Sequence, residues 1–191
     1  RKPEIPRPGA LWGAKLEDEA PVTMRSLFRA LNEFIADDMV VVSDIGDCLF
    51  GSVDLKIHRR TEFLSAAYYA PMGFGIPASI GAQLANPSLR PLVLVGDGAF
   101  QMTGLELATS ARLGLNPIVV VFKNDGYSTE RQIMDGTFND IAPWHHERVP
   151  DLLGAGKGFV VRTNGELHRA LDAALANRDS FSLIEVNLGR Y

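Results

Sequence analysis

The stretch RPLVLVGDGAFQMTGLEL, residues 90–107, contains a strand, a turn and the beginning of a helix in immediate succession. Its first half is a continuous apolar run, which is typical of a strand that is buried on both faces of a sheet. Gly96 and Gly98 permit a tight turn around Asp97, and a helical pattern follows. The carboxylate of Asp97 either caps this helix or binds a ligand, and the stretch alone leaves both roles open.

The same alternation of strands and helices continues along the chain. Strands are predicted at MVVVSD, PLVLVGDG, PIVVVFKNDG, GFVVRT and FSLIEVN. Helices are predicted at TMRSLFRALNEFIAD, GFGIPASIGAQLANP, MTGLELATSARLG, YSTERQIM and GELHRALDAALANR, with Thr23 as the cap of the first. This pattern indicates an α/β fold with a doubly wound, mostly parallel sheet and helices on both faces. Ligands of such sheets bind beyond the carboxyl ends of the strands, so the loops SDIGD, GDGAF and KNDGYSTE are the candidate site.

Composition excludes several classes of protein. The chain has 191 residues, of which 46% are apolar, enough for one domain with a substantial core. A net charge of -4 without a cluster of basic residues argues against nucleic-acid binding. The longest apolar runs are too short to span a membrane. The single cysteine, Cys48, cannot form an internal disulfide, which favours a reducing, cytoplasmic location.

The amino-terminal residues differ from the rest of the chain. Residues 1–22 contain four of the eleven prolines and are predicted to form a linker or arm, with the domain itself over residues 23–191. The chain begins RKPEIPRPG, without an initiator methionine or a signal peptide. We therefore expect it to be a piece of a longer protein or a separately made subunit.

The loop KNDGYSTE adds a second set of ligand atoms to the candidate site. Asn124 lies 27 residues after Asp97 and has a side-chain carbonyl, and the turn at Gly126 can expose a main-chain carbonyl. Together with Asp97, two diphosphate oxygens and a water, these atoms would complete the octahedral oxygen shell that Mg²⁺ prefers. The alternative for NDG is a hairpin turn, but the following YSTERQIM is a poor strand.

The GDG and N motifs, at this spacing, resemble the diphosphate-binding signature of thiamine-diphosphate enzymes, from about Pro21 to the end of the chain. Lys123 departs from the second asparagine of many members, at a position that is not a ligand. The resemblance implies that the domain binds thiamine diphosphate and Mg²⁺, the metal through Asp97, Asn124 and Gly126. The implied cofactor-binding residues are Gly46, Asp47, Ala70, Met72, Gly96, Asp97, Gly98, Ala99, Asn124, Gly126, Tyr127 and Ser128.

Two other segments extend the resemblance. YYAPMGFGIPASIGAQLA is similar to the segment that places a large apolar residue under the bent cofactor, which implies that Met72 is this wedge and that the Ala70 carbonyl accepts a hydrogen bond from the cofactor's amino group. Alternatively, Met72 is ordinary core. VSDIGDCLFG resembles the loop that contacts diphosphate and pyrimidine. Within it, Asp47 faces either the substrate pocket or solvent, and Cys48 is expected to be a small buried residue rather than a nucleophile.

NDGYSTERQI and FNDIAPW resemble the branch of 2-oxo acid decarboxylases that includes the pyruvate, indolepyruvate and phenylpyruvate enzymes. The resemblance implies that Glu130, six residues after Asn124, transfers protons near the reacting carbon. The alternative is an exposed helical glutamate beside Arg131. Thr129 and Ile133 take positions that line the substrate side, and the small Thr129 favours an aryl or indolyl 2-oxo acid, converted to an aldehyde and carbon dioxide.

The resemblance also implies partners. The glutamate that activates the cofactor belongs to a separate pyrimidine-binding domain, and no motif here supplies it. We therefore expect the isolated chain to be inactive and the full enzyme to be a homodimer or tetramer. His145 and His146 are expected in a solvated or interface loop.

Two other functions remain open from the sequence. A carboligase of the acetolactate synthase type would share the strand-end motifs, although the segment after its metal-binding asparagine usually reads GMV…QW. A non-catalytic nucleotide-binding module is the other alternative, although neither a P-loop nor an opening GxGxxG is present.

Overall fold

The computed structural model describes residues 17–57 and 62–190, which form a six-stranded sheet with helices on both faces. The strand order is β2-β1-β3-β4-β6-β5, and every adjacent pair is parallel. The predicted α/β fold is thus confirmed. The strands are β1 (Met39–Ser43), β2 (Glu62–Ser65), β3 (Arg90–Gly96), β4 (Ile118–Lys123), β5 (Lys157–Val161) and β6 (Ser182–Asn187).

Within the described residues, eight α-helices connect or flank these strands. They are α1 (Met24–Phe34), α2 (Asp47–Gly51), α3 (Gly75–Ala85), α4 (Asp97–Thr103), α5 (Leu107–Arg112), α6 (Ser128–Ile133), α7 (Val149–Leu153) and α8 (Asn164–Ala176). Thr23 caps α1 as predicted, because its hydroxyl accepts a hydrogen bond from the Ser26 N–H at 3.1 Å. Among the described residues, no helix is long and apolar enough to cross a membrane.

The core has two layers, one on each face of the sheet. Successive residues of a strand point to opposite faces, so Val41 packs in the layer with α1 and α8, whereas Val40 and Val42 pack in the layer with α3, α4 and α5. The central strands are therefore buried on both faces, which explains their uninterrupted apolar sequences.

Three details differ from the sequence prediction or add to it. The helix after β3 begins at Asp97 rather than near Met102, and a 3₁₀ turn over Gly104–Glu106 separates α4 from α5. No strand was predicted at β2, because this short edge strand is largely exposed and has no buried apolar run. The short helices α2 and α7 were not predicted either.

The predicted amino-terminal arm lies mostly outside the described residues. Its last two residues contact the domain: Pro21 forms an antiparallel bridge with Thr163, and the N–H of the buried Val22 donates to the Arg162 carbonyl at 3.0 Å. The end of this segment is therefore bonded to the residues between β5 and α8.

The order of the strands places the predicted motifs side by side. β1, β3 and β4 are neighbours in the sheet, and their carboxyl ends lead directly to Asp44, Asp97 and Asn124. Parallel strands bring these ends to the same edge of the sheet, as the sequence predicted.

Candidate functional site

A cavity of about 350 Å³ lies at the carboxyl ends of β1, β3 and β4. All but one of the predicted site residues line it. These are Gly46, Asp47, Ala70, Met72, Gly96, Asp97, Gly98, Ala99, Asn124, Gly126, Tyr127, Ser128, Thr129 and Glu130. Ile133, predicted on the substrate side, is 79% exposed and does not line the cavity. Glu130 is also exposed, but it is among the lining residues.

The carboxylate of Asp97 joins the loops that follow β3 and β4. Its Oδ1 accepts a hydrogen bond from the Gly98 N–H at 2.8 Å, and its Oδ2 accepts from the N–H groups of Asn124 and Asp125 at 3.1 and 2.7 Å. Gly96, not Asp97, occupies the N-cap position of α4. The carboxylate is therefore not the cap of α4 but a link to the loop after β4.

The Asp97 carboxylate is buried although it lines the cavity. Only 1% of the residue is exposed. Burial raises the pKa of Asp97, although the N–H donors of Asp125, Gly98 and Asn124 and the charge of His146 oppose this effect. The N–H donors offset the cost of burying this charge only in part, since the pKa stays raised, so a cation bound in the cavity would stabilise the ionised form.

The side chain of Asn124 presents an unpaired oxygen at the same place. Its Nδ2 donates to Asp47 Oδ2 and to Ser128 Oγ, both at 2.9 Å. Its Oδ1 is buried and has no hydrogen-bond partner in the described protein. Since buried polar atoms are normally paired, this oxygen is suited to a ligand that the protein itself does not supply.

The types of side chain at this site indicate which ligand would fit. No group of three or more histidine, cysteine, aspartate or glutamate side chains suited to a metal occurs among the described residues. A cation beside Asp97 and Asn124 would therefore complete its shell with main-chain oxygens and with oxygens of a bound molecule. Mg²⁺ is commonly held in this way, by one or two carboxylates together with phosphate oxygens.

The turn that contains Gly126 is held tightly. Gly126 has φ of +137°, and a Cβ at this position would lie 2.1 Å from the Asn139 carbonyl oxygen. The buried Arg131 guanidinium donates to the Asp125 carbonyl at 2.8 Å and to Asp140 Oδ1 at 2.8 Å. No motif pointed to Arg131, whose role depends on residues that approach it only in the folded chain.

Asp44 fixes the segment that precedes α3. Its carboxylate is fully buried and accepts hydrogen bonds from the N–H groups of Ile45, Gly73 and Gly75, at 2.9, 3.2 and 2.8 Å. These bonds hold Met72, which lines the cavity, close to the end of β1. The position of Met72 is compatible with the predicted wedge, which stays a prediction.

Asp47 and Cys48 lie next to each other at the beginning of α2, after the loop that follows β1, but their surroundings differ. The Asp47 carboxylate is directed towards Asn124 and Ser128, whose hydroxyl donates to Asp47 Oδ2, and not towards solvent. Cys48 is buried, as predicted. Burial and the nearby carboxylates raise the pKa of the Cys48 thiol well above its ordinary value, so the thiol stays protonated and unreactive.

The prediction for the two histidines was right for one and wrong for the other. His145 is exposed, but His146 is 1% exposed, and its Nδ1 lies 2.9 Å from Glu185 Oε2. Its ring also packs edge-on against Phe100, with the ring centroids 5.3 Å apart. His146 is thus buried against Glu185 of β6, a partner that lies 39 residues away in the sequence.

Comparison with known proteins places the chain in a family. Residues 44–186 match the model of the family described as "Thiamine pyrophosphate enzyme, C-terminal TPP binding domain". The chain belongs to this family. Thiamine pyrophosphate is thiamine diphosphate, and Mg²⁺ is the usual partner metal of the cofactor in the family. The cofactor prediction is thereby confirmed, and a nucleotide-binding module is not favoured.

The chain is also similar to curated proteins. It is 40% identical over 177 residues to indole-3-pyruvate decarboxylase of Azospirillum brasilense, which covers 91% of the chain and 32% of that protein. It is 38% identical over 176 residues to alpha-keto-acid decarboxylase of Mycolicibacterium paratuberculosis, which covers 90% of the chain and 31% of that protein. The chain thus spans about a third of the length of these relatives.

Proposed function

We propose that the chain forms the diphosphate and Mg²⁺ half of the active site in a thiamine-diphosphate-dependent 2-oxo acid decarboxylase. The family match and the names of its relatives support this function. The observation that carries the proposal is the buried, unpaired Oδ1 of Asn124 at the strand end next to the carboxylate of Asp97.

The proposed roles follow from the positions of the residues. Asp97, Asn124 and the main-chain carbonyl of Gly126 hold Mg²⁺, and the N–H groups at the beginning of α4 and α6 bind the diphosphate. The absence of a side chain at Gly98 lets the Tyr127 ring approach the beginning of α4, because a Cβ there would lie 2.5 Å from that ring. The remaining cavity-lining residues surround the cofactor and substrate.

When bound, thiamine diphosphate supplies the nucleophilic carbon and the electron sink for loss of carbon dioxide from a 2-oxo acid. Met72 and Ala70 line the cavity, where Met72 would lie against the cofactor and the carbonyl of Ala70 would accept a hydrogen bond from its amino group. Ala70 has φ of +51°, a conformation that costs a non-glycine residue free energy and is often found at functional sites. Glu130, at the cavity, exchanges a proton at the reacting carbon.

Ligand selectivity tests the binding part of this proposal. In the complete protein, thiamine diphosphate with Mg²⁺ is expected to raise the melting temperature more than ATP or NAD does under the same conditions. Ligands that bind the folded state alone stabilise it by mass action. A larger shift with either nucleotide would contradict the proposal.

Product analysis tests the reaction. With pyruvate, phenylpyruvate and indolepyruvate as substrates, the complete protein is expected to release the corresponding aldehydes, with the aryl and indolyl acids preferred. Acetolactate as the main product from pyruvate would indicate the carboligase alternative instead.

The partner in this proposal is a pyrimidine-binding domain, on the same or another chain of a homodimer or tetramer. Several large apolar side chains near the cavity are exposed in the described chain, including Phe50, Tyr68 and Tyr69. A second domain seated here would cover them and supply the activating glutamate. The isolated 191-residue chain is therefore expected to have no decarboxylase activity, and measurable turnover by it would contradict the half-site proposal.

A further inference from the structure

We infer that Asp47 is a positioning residue, which selects the orientation of the Asn124 carboxamide in which Oδ1 faces the metal site. This inference rests on the proposed function, in which Asn124 is a Mg²⁺ ligand. Neither the family match nor the names of the relatives assign this role to Asp47.

The two ends of the Asn124 side chain differ only in chemistry. A carboxamide has an acceptor oxygen and a donor NH₂ group of nearly the same size, and its orientation depends on its partners. Here Nδ2 lies 2.9 Å from Asp47 Oδ2. An ionised carboxylate only accepts hydrogen bonds, so it pairs with the NH₂ group and repels Oδ1.

Ser128 enforces the same orientation. Its hydroxyl donates to Asp47 Oδ2 and therefore offers Asn124 a lone pair, which the Nδ2 group meets at 2.9 Å. If the carboxamide turned by half a rotation, Oδ1 would face two acceptors at once. Asp47 thus determines the orientation directly and also through the proton of Ser128.

The opposite side of the carboxamide shows what this orientation achieves. Asn124 is 7% exposed, and its Oδ1 is buried without a hydrogen-bond partner in the described protein. The fixed NH₂ group thus leaves Oδ1 as an uncompensated acceptor, which a cation would satisfy. Without Asp47, the carboxamide is free to present its NH₂ group to the cation, and one oxygen ligand is lost.

Asp47 follows the end of β1, whereas Asn124 follows the end of β4. It is the first residue of α2, directly after Gly46, whose φ of +75° favours glycine. Its Oδ1 also lies 3.4 Å from Thr129 Oγ1 in α6. The carboxylate therefore connects the end of β1 with the loop after β4 that contains the metal ligand.

The test is a calorimetric titration of Mg²⁺ into the complete protein with saturating thiamine diphosphate. Asp47→Ala is expected to raise the Kd of Mg²⁺ about tenfold to a hundredfold, as is typical when a residue that orients a metal ligand is lost. The same change is then made together with Asn124→Asp. A carboxylate has two equivalent oxygens and needs no orientation, so in this background Asp47→Ala is expected to leave the Kd unchanged or to lower it, because it removes a repelling neighbour.

Two further variants keep the result interpretable. Asp54→Ala removes an exposed carboxylate from the 3₁₀ turn after α2, away from the cavity, and is expected to change the Kd less than twofold. If Asp47→Ala does not fold by circular dichroism, Asp47→Asn replaces it. Its amide oxygen can still accept from Asn124, so we expect a smaller rise, again absent with Asn124→Asp.

The inference is overturned if Asp47→Ala raises the Kd by the same factor in both backgrounds, because Asp47 would then act by its charge or through folding. An unchanged Kd in the wild-type background overturns it as well. If the wild-type protein binds no Mg²⁺ with thiamine diphosphate, the proposed function fails first and this inference with it.

Discussion

Three buried carboxylates illustrate how single residues of this protein differ in their partners. Asp44 accepts hydrogen bonds from three main-chain N–H groups, and Glu185 accepts from His146. Asp97 also accepts from three N–H groups, but unlike the other two it lines the cavity. Asp44 and Glu185 therefore support the structure, whereas Asp97 is available to a ligand.

The pair of His146 and Glu185 leads to a prediction about pH. Burial alone would raise the pKa of Glu185, but the hydrogen bonds and charge of His146 outweigh it and hold the pKa below the ordinary value. The ionised Glu185 thus stabilises the fold above the pKa of an unfolded glutamate, about 4.3, and this contribution is lost as the pH falls through the lower, folded value.

We expect Glu185→Gln to lower the stability at pH 7 by about 1–3 kcal/mol, since it weakens a buried charged hydrogen bond. Below about pH 4.3, its melting temperature should fall less steeply than that of the wild type. Circular dichroism melts between pH 3 and 7 measure both effects. If the melting temperatures of the wild type and Glu185→Gln fell in parallel as the pH was lowered, the pair of His146 and Glu185 would not contribute in this way.

Of these residue-level features, the sequence predicted the proposed ligand residues at the strand ends but not the residues that support them. Asp97 and Asn124 follow apolar strands directly, so the topology of a parallel sheet brings them together. Arg131 contacts partners that lie 6 to 9 residues away, and His146 contacts one that lies 39 residues away, in both cases through loops of irregular path. Such contacts have no periodic signal in the sequence.

At the scale of elements, the turn between β4 and α6 is shaped by a glycine that no other residue can replace easily. Gly126→Ala is expected to destabilise the protein by about 2–4 kcal/mol, because φ is +137° and the new Cβ would clash with the Asn139 carbonyl. Gly114→Ala is a matched control: its φ is +66°, but nothing lies within 4 Å of a Cβ. The control is expected to lose only about 1–2 kcal/mol of unfolding free energy. Equal losses for the two variants, measured by urea unfolding, would contradict the proposed clash.

Arg90 connects β3 with the end of α8, a contact that the sequence did not predict. From the beginning of β3, its guanidinium donates to the carbonyls of Ala174, Leu175 and Asn177 at the end of α8. Burial lowers the pKa of Arg90 to about 10, so the group remains charged at neutral pH and favours the carboxyl end of the helix.

We expect Arg90→Lys to lower the free energy of unfolding by about 2–4 kcal/mol, because a lysine has no planar fork to serve several carbonyls at once. The exposed Arg178→Lys is the control and should change it by less than about 0.5 kcal/mol. Urea denaturation of both variants measures the difference. A similar, small loss in both would mean that the carbonyls find other donors.

At the scale of the whole molecule, the fold followed from the sequence because the strands are buried on both faces and alternate with helices. The edge strand β2 and the short helices α2 and α7 escaped prediction, since none of them has a long apolar pattern. The same topology places β1, β3 and β4 side by side, so that the fold itself assembles the proposed site from three separate segments.

The central claim is that Asp97 and Asn124 bind Mg²⁺ together with thiamine diphosphate, and calorimetric titration of Mg²⁺ into the complete protein with the cofactor present tests it most directly. Asp97→Asn is compared with Asp125→Asn, which makes the same change at a more exposed carboxylate that pairs with Lys123. We predict that Asp97→Asn abolishes detectable Mg²⁺ binding, whereas Asp125→Asn keeps the Kd within about threefold of the wild-type value, as expected for a group outside the ligand set. Binding of Mg²⁺ by Asp97→Asn with the wild-type Kd would contradict the claim.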